Sequence, residues 1–331
     1  MKQRLFLDLL VIMIIFGCTR GKDRQDIDVS AILIAPVKIH RYDLDLFKVN
    51  PGHLQEGLMA LKPEYPFFLD ADLNDTAKLA GMQQYLESPG NREFFEAVSA
   101  KYQNLGRIEN QLTDAFRHFI HYSPGFRIPR VYAYISGGDY DYPVQFADSV
   151  LLIGMDNYLG KDFKPYIGDG LPAYRIARMN EVNILPDCVD ALVKVLYPIR
   201  LPGNNLLEQI VEAGKRLYLI DAMIPGEADM LKIGYSQNQY NWIVKNEKHV
   251  WGAIISNRML YSTDGKLIRS FMADGPFTAE FSKDSPPRLG EWIGWQIVTG
   301  YMENHPEVTL EALMNEKDAQ KILSQSGYKP G

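Results

Sequence analysis

Apolar residues recur at three- and four-residue intervals along most of this chain, the period of a helix with one buried face. Leu44, Phe47, Leu54, Leu58 and Leu61 form one such set, and Phe94, Phe95, Val98 and Tyr102 another. The region Val37 to Tyr122 is therefore predicted to be mostly helical. Ser88-Pro89-Gly90-Asn91 reads as a turn, with Asn91 capping the next helix and Glu93 in its first turn. A helix from about Glu109 to Tyr122 stops at Ser123-Pro124-Gly125. The period then changes. Arg130 to Ile135 and Asp148 to Ile153 are short β-branched and aromatic runs, closed by Gly137-Gly138 and by Gly154. The residues between them are rich in turn formers, so a small antiparallel sheet is expected, its two strands joined by a long connection.

Helical spacing returns from Leu185. Val189, Leu192, Val193 and Leu196 form one face, and Leu207, Ile210, Val211, Gly214 and Tyr218 a second. Leu289, Trp292, Ile293, Gln296, Ile297 and Tyr301 form a third, ended by the turn before Pro306. Helices, a strand pair, then helices predict a predominantly helical α+β fold with a helical N-terminal part. No repeat, low-complexity tract or Pro- and Gly-rich linker divides the body, so residues 36–331 are expected to form a single globular domain.

The N-terminus has a different pattern. Lys2 and Arg4 precede the apolar run Leu9 to Phe16, which ends at Gly17-Cys18. A basic stretch and a short apolar core make an export signal, although Asp8 interrupts it; a membrane-spanning helix would need about 20 apolar residues. The small residue before Cys18 resembles the bacterial lipobox, in which the cysteine thiol takes diacylglycerol and becomes the new N-terminus. Residues 1–17 are thus expected to be a lipoprotein signal peptide. Residues 18–35 would be the lipidated Cys18 and a flexible tether reaching roughly 20–25 Å as a coil. No later apolar run reaches about 18 residues, so the membrane contact expected is the lipid alone. The body would sit on the non-cytoplasmic side of a cell or outer membrane.

Composition supports a folded, exported body. Hydrophobic residues make up 46% of the chain, an ordinary globular value. The net charge is −6, and removing Lys2, Arg4 and Asp8 with the signal makes the remainder more acidic. That balance argues against nucleic acid and against a basic patch reinforcing the anchor. Only Cys18 and Cys188 occur, so a lipidated Cys18 leaves Cys188 without a partner within the chain. Cys188, in an apolar stretch, is expected to be a buried thiol.

Candidate chemistry is sparse. The six histidines include no His-Glu-x-x-His, the arrangement that places two zinc ligands and a base on one helix turn. Only His118 and His121 are close, with Asp114 four residues before His118, and they read as a polar or rim-facing helix pair. No Gly-x-Ser-x-Gly is present; Ser136-Gly137-Gly138 reads as a turn, and phosphate-binding glycine loops are absent. Asp139, Asp141 and, further on, Asp148 could offer oxygen ligands to calcium, or simply form a solvated acidic turn. Glu212, placed before Lys215 and Arg216, reads as an exposed helical ion pair worth about 0.3–0.5 kcal/mol. Trp292 belongs to the buried stripe. Trp295, with Arg288 ahead of it, is partly off that stripe and could serve an aromatic binding surface. No cofactor is expected.

Taken in order, a series of segments resembles the GldB family of gliding-motility-associated lipoproteins. They are Arg41-Tyr42-Asp43, Leu112 to Phe116, Tyr134-Ile135-Ser136-Gly137, Leu152 to Gly160, Tyr218 to Asp221, Lys232 to Tyr235 and Leu260 to Asp264. The densest stretch is Pro276-Phe277-Thr278, then Ser285 to Val298, with Tyr301-Met302. The resemblance spans essentially the whole mature chain. It implies a lipid-anchored envelope protein with protein partners, acting in gliding or in related envelope machinery. The same segments are distantly similar to predicted zinc peptidases with a His-Glu-x-x-His helix and, beyond it, a Glu-Gly pair. Glu212-Ala213-Gly214 falls near that pair, with an inserted Ala, and the helix expected at about Pro186 to Tyr197 carries Asp190 and Lys194 but no histidine. The resemblance thus implies a zincin-like scaffold whose catalytic function has been lost. The alternative is a hydrolase, metal-dependent or otherwise, with an unrecognised site.

Overall fold

The computed structural model describes residues 27–198 and 204–330. Cys18 and the expected signal lie outside these residues. Val29, within the stretch expected to serve as tether, is buried. No helix among the described residues is long and apolar enough to cross a membrane.

The body is mostly helical around one small sheet. Strands β1 (Ile39–Arg41), β2 (Arg130–Tyr134), β3 (Val144–Ala147) and β4 (Val150–Gly154) lie in the order β1-β2-β4-β3. The two sequence-predicted strands do pair, but in parallel: Val131 stands opposite Leu151 and Ala133 opposite Ile153. The expected antiparallel pairing is corrected by β3, which lies within the supposed connection and pairs antiparallel with β4. Asp148 and Ser149 form the turn between them, both with positive φ (49° and 64°). Two such residues give the turn whose twist matches a hairpin. The sheet is therefore mixed. Its inner strands are nearly continuous apolar runs, as strands covered on both faces require.

The principal helices are α1 (Thr76–Glu87), α2 (Pro89–Lys101), α3 (Gly106–Tyr122), α4 (Ile184–Leu196), α5 (Leu206–Met223), α6 (Gln237–Ser256), α7 (Leu289–Asn304) and α8 (Ala319–Gln325). α2 starts at Pro89, so the expected turn through Asn91 is helix. Asn91 does not cap it; its Nδ2 donates to the Tyr85 carbonyl at 2.9 Å. In α3, Ile108, Leu112, Ala115, Phe116 and Phe119 make the buried stripe that the periodicity requires. Asn205 caps α5 by accepting from the Glu208 N–H at 3.0 Å, and Ser236 with Gln239 forms a capping box on α6.

α5 is the central helix. It packs most extensively on α7 and also touches α3, α4 and α8, while α4 lies against β3 and β4. Gly214 of α5 and Gly294 of α7 meet at the first of these crossings, where a Cβ on either would overlap the other helix's backbone. One apolar cluster runs from Val37 to Ile322 and includes Trp292, Trp295 and the buried Cys188.

Candidate functional site

β3 is an edge strand, and with the adjoining α4 it borders a cleft of about 640 Å³. Tyr140, Tyr142, Val144, Phe146 and Tyr174 line the cleft, and Arg175, Arg178, Asp187, Asp190 and Lys194 bring charge to it. The loop before β3 is held by Arg175, whose Nη2 donates to the Tyr140 carbonyl at 2.7 Å and to the Asp141 carboxylate at 2.8 Å. Tyr142 and Val195 remain exposed at the rim.

The strand's register fixes which backbone groups face the cleft. The two-residue turn makes Ala147 and Val150 a hydrogen-bonded pair, and pairing alternates from there. Gln145 therefore bonds to β4, whereas Val144 and Phe146 turn their N–H and C=O groups outward. Pro143 follows the same alternation, its carbonyl accepting from the Gly154 N–H at 2.9 Å.

Asp187, Asp190 and Lys194 recur at three- and four-residue spacing, forming one polar stripe on an otherwise apolar α4. They also line a second, smaller cavity of about 290 Å³ behind the cleft, together with Arg178, Arg216, Asp274, Arg288 and Glu291. The charges in this pit are ordered in chains. Lys194 Nζ and Arg216 Nη1 contact the two oxygens of Asp190 at 2.7 and 3.0 Å. Arg216 Nη2 reaches Glu291 at 3.3 Å, and Arg288 Nη1 reaches the same carboxylate at 3.2 Å. Burial alone would raise Asp190, but Arg216 and Lys194 outweigh it and hold the carboxyl below its usual range. Asp187 behaves oppositely. Burial pushes it up, against the opposing pull of Arg178 at 3.2 Å and of the Tyr158 hydroxyl, which donates to it at 2.8 Å.

Arg288 occupies a left-handed backbone position (φ 54°) at the start of α7. Such a conformation costs a non-glycine residue of order 1–3 kcal/mol. Its guanidinium is fixed by the Ile233 carbonyl at 2.8 Å, by Glu291, and by Asp274 at 3.4 Å. Arg288 thus serves the pit instead of an aromatic surface. Trp295 is buried, not surface-exposed, and packs edge to face on Trp292 with ring centroids 5.8 Å apart. Trp292 Nε1 donates to Glu247 at 3.1 Å.

The remaining sequence candidates are dispersed. Asp141 lines the cleft bound to Arg175, Asp139 donates its N–H to Ser136 Oγ at 3.0 Å, and Asp148 sits in the turn at the far end of β3. A strand separates Asp148 from the other two, so the three do not form one cluster. Among the described residues no group of three His, Cys, Asp or Glu is placed to hold a metal ion. Glu212 lines neither cavity. The exposed ion pair expected there is corrected: Glu212 contacts the buried Lys215 at 2.5 Å, Lys215 also donates to the Glu316 carbonyl at 2.6 Å, and Arg216 turns into the pit. His118 is buried and lies 3.9 Å from Asp114, whereas His121 is exposed beside Tyr122. Ser136 Oγ donates to Asp156 at 2.7 Å, and the buried Asp156 also accepts from the Ser136 and Gly138 N–H groups at 2.7 and 3.1 Å. That carboxylate locks the glycine turn and leaves Ser136 committed to structure.

Sequence reasoning missed the pit as a unit, since Arg178, Arg216, Asp274 and Glu291 lie on separate elements. The spacing of Asp187, Asp190 and Lys194 was the one available signal.

A family model described as gliding motility protein GldB matches residues 22–330. No curated protein and no solved structure matches the chain.

Proposed function

The chain belongs to the gliding motility protein GldB family, and from that premise we propose a lipid-anchored, non-catalytic envelope protein that serves gliding motility or related envelope machinery by holding an extended segment of a protein partner. The observation that carries the binding role is the edge of β3. Val144 and Phe146 present backbone groups without a partner among the described residues along a cleft whose rim is apolar at Tyr142 and Val195. An extended peptide can add to such an edge through main-chain hydrogen bonds, with alternate side chains entering the cleft.

The non-catalytic reading is supported by α4. A zincin-like enzyme would draw metal ligands from the helix beneath its cleft. Here Asp190 and Lys194, one turn apart, pair with each other, and Arg216 takes the second oxygen of Asp190. An ammonium and a guanidinium at that point repel a cation.

Val144→Pro tests the binding role. Proline on an edge strand removes only the outward N–H and leaves the β4 ladder intact. The variant should keep its melting temperature and bind extended Val/Thr peptides several-fold more weakly than the parent. Undiminished binding would overturn the edge as the docking element, and peptide hydrolysis by the parent would overturn the non-catalytic reading.

A further inference from the structure

The pit is not fully occupied by its own charges. Arg178 lines both the cleft and the pit, and it also lines a side chamber of about 270 Å³ with Arg288 and Asp274. Of its five donors one has an acceptor among the described residues, Nη2 to Asp187 at 3.2 Å. Its Nε is shielded from solvent and has no hydrogen-bond partner among the described residues. Arg288 Nε is likewise shielded and unbonded, with Asp274 near it only as an ion pair at 3.4 Å. A buried donor without an acceptor costs about 1–3 kcal/mol, which a ligand acceptor would relieve. Lys194 has three donors, and Asp190 is its one ion-pair partner among the described residues. Its side chain is 58% exposed, so it reaches the junction of cleft and pit from the solvent side.

We propose that this junction is a carboxylate-recognition site, in which Arg178 and Lys194 take the side-chain carboxylate of an acidic residue in the bound segment. The inference rests on the reading of the cleft as a peptide site. Asp190, Glu291 and Asp274 are already committed to Lys194, Arg216 and Arg288. The remaining donors of Arg178 and Lys194 are therefore not answered by those carboxylates, and a single negative charge can take them. A dianion such as phosphate would instead meet repulsion from Asp190 nearby. Arg and Lys donors make strong, charge-assisted bonds to a carboxylate when partly desolvated. Arg178 is held in place by packing over Gly234, whose positive φ and missing Cβ make room for the guanidinium.

The test uses the lipidated protein in detergent and a capped six-residue Val/Thr peptide carrying one Glu, beside its Gln counterpart. The Glu peptide should bind about tenfold more tightly, a difference of about 1.4 kcal/mol. Lys194→Met should reduce the preference to less than about threefold without lowering the melting temperature, because the side chain is largely solvated. Equal affinity of the two peptides in the parent would overturn the carboxylate site and leave the cleft reading standing. Tight binding of a Gln peptide only when its C-terminus is uncapped would overturn the side-chain assignment in favour of a terminal carboxylate. Butyrate, a monocarboxylate, is the independent probe of the pit. If it raises the melting temperature of the parent but not of Lys194→Met while no peptide binds, the carboxylate site holds and the cleft reading falls. No effect of butyrate and no peptide binding would overturn both.

Discussion

Gly214 and Gly294 bring two helices into backbone contact. A Cβ on Gly214 would overlap the Gly294 carbonyl, and a Cβ on Gly294 would overlap the Ile210 carbonyl of the facing helix. No rotamer change relieves such an overlap, because main chain lies on both sides. Gly294→Ala should therefore destabilise the protein by at least about 3 kcal/mol, the upper end for overpacking. Urea unfolding measures it directly. A loss below about 1 kcal/mol would mean that α5 and α7 separate readily.

This crossing shows how far the sequence was legible. The spacing of Leu207, Ile210, Val211, Gly214 and Tyr218 announced a helix with one buried face, and α5 is that helix. The sequence places Gly214 in a displaced Glu-Gly pair; its role as a contact point depends on Gly294, eighty residues away, and local spacing cannot show that. The strands illustrate the same limit. Val131 and Leu151 were in recognisable β runs, but their parallel pairing depends on β3, four residues long and half-exposed. The segments that carried the family resemblance are more informative in pairs than alone. Asp221 pairs with the buried Lys232, and Ser136 bonds to Asp156. In the pit, Arg178, Asp187, Asp190, Lys194, Arg216 and Asp274 lie outside those segments, which is why no motif revealed it.

Trp292 and Trp295 should both be costly to remove. Each is buried, so truncation to Ala should cost about 3–5 kcal/mol in either case. Their edge-to-face contact adds about 0.5–1.5 kcal/mol of coupling, which a double-mutant cycle would read. A small effect at Trp295 alone would restore the view that it lies off the packed stripe.

Stability should fall as pH rises through the acidic range. Asp187 and Asp156 have carboxyls raised by burial, so the folded state holds their protons after the unfolded chain, with ordinary values near 3.8, has released them. The folded state binds more protons in that window, and linkage then makes stability decline from the unfolded value upward to the raised one. Asp190 and Glu316, which are lowered, act in the opposite sense, and only below their ordinary values. Asp187→Asn keeps a hydrogen-bonding group beside Tyr158 and should flatten the decline. Unfolding free energies at a series of pH values test this; an unchanged slope in the variant would show that Asp187 is ionised in the folded state throughout.

Cys18 is the proposed attachment point. Cys18→Ser should abolish incorporation of a clickable fatty acid and leave uncleaved precursor or released protein. Label retained on the variant would exclude that thiol as the acylated group.

The proposed loss of catalysis is open to a direct metal test. A hydrolytic zinc site needs about three protein ligands and a base beside the bound water. In the pit, Asp190 is bound by Lys194 and Arg216, and Glu291 by Arg216 and Arg288, so the carboxylates best placed to receive a cation already face positive partners. Stripping away the largely buried Arg216 or Arg288 would leave buried charges uncompensated, at about 3–5 kcal/mol for each broken pair. The purified protein should therefore carry well under one zinc per chain and should keep its melting temperature in chelator. Arg216→Met should destabilise the fold strongly without creating metal affinity, because Lys194 remains on Asp190. Elemental analysis and melting curves decide the matter. Stoichiometric zinc with chelator-sensitive hydrolysis would sink the non-catalytic reading and return attention to His118 and Asp114, the His–carboxylate pair on α3, 3.9 Å apart.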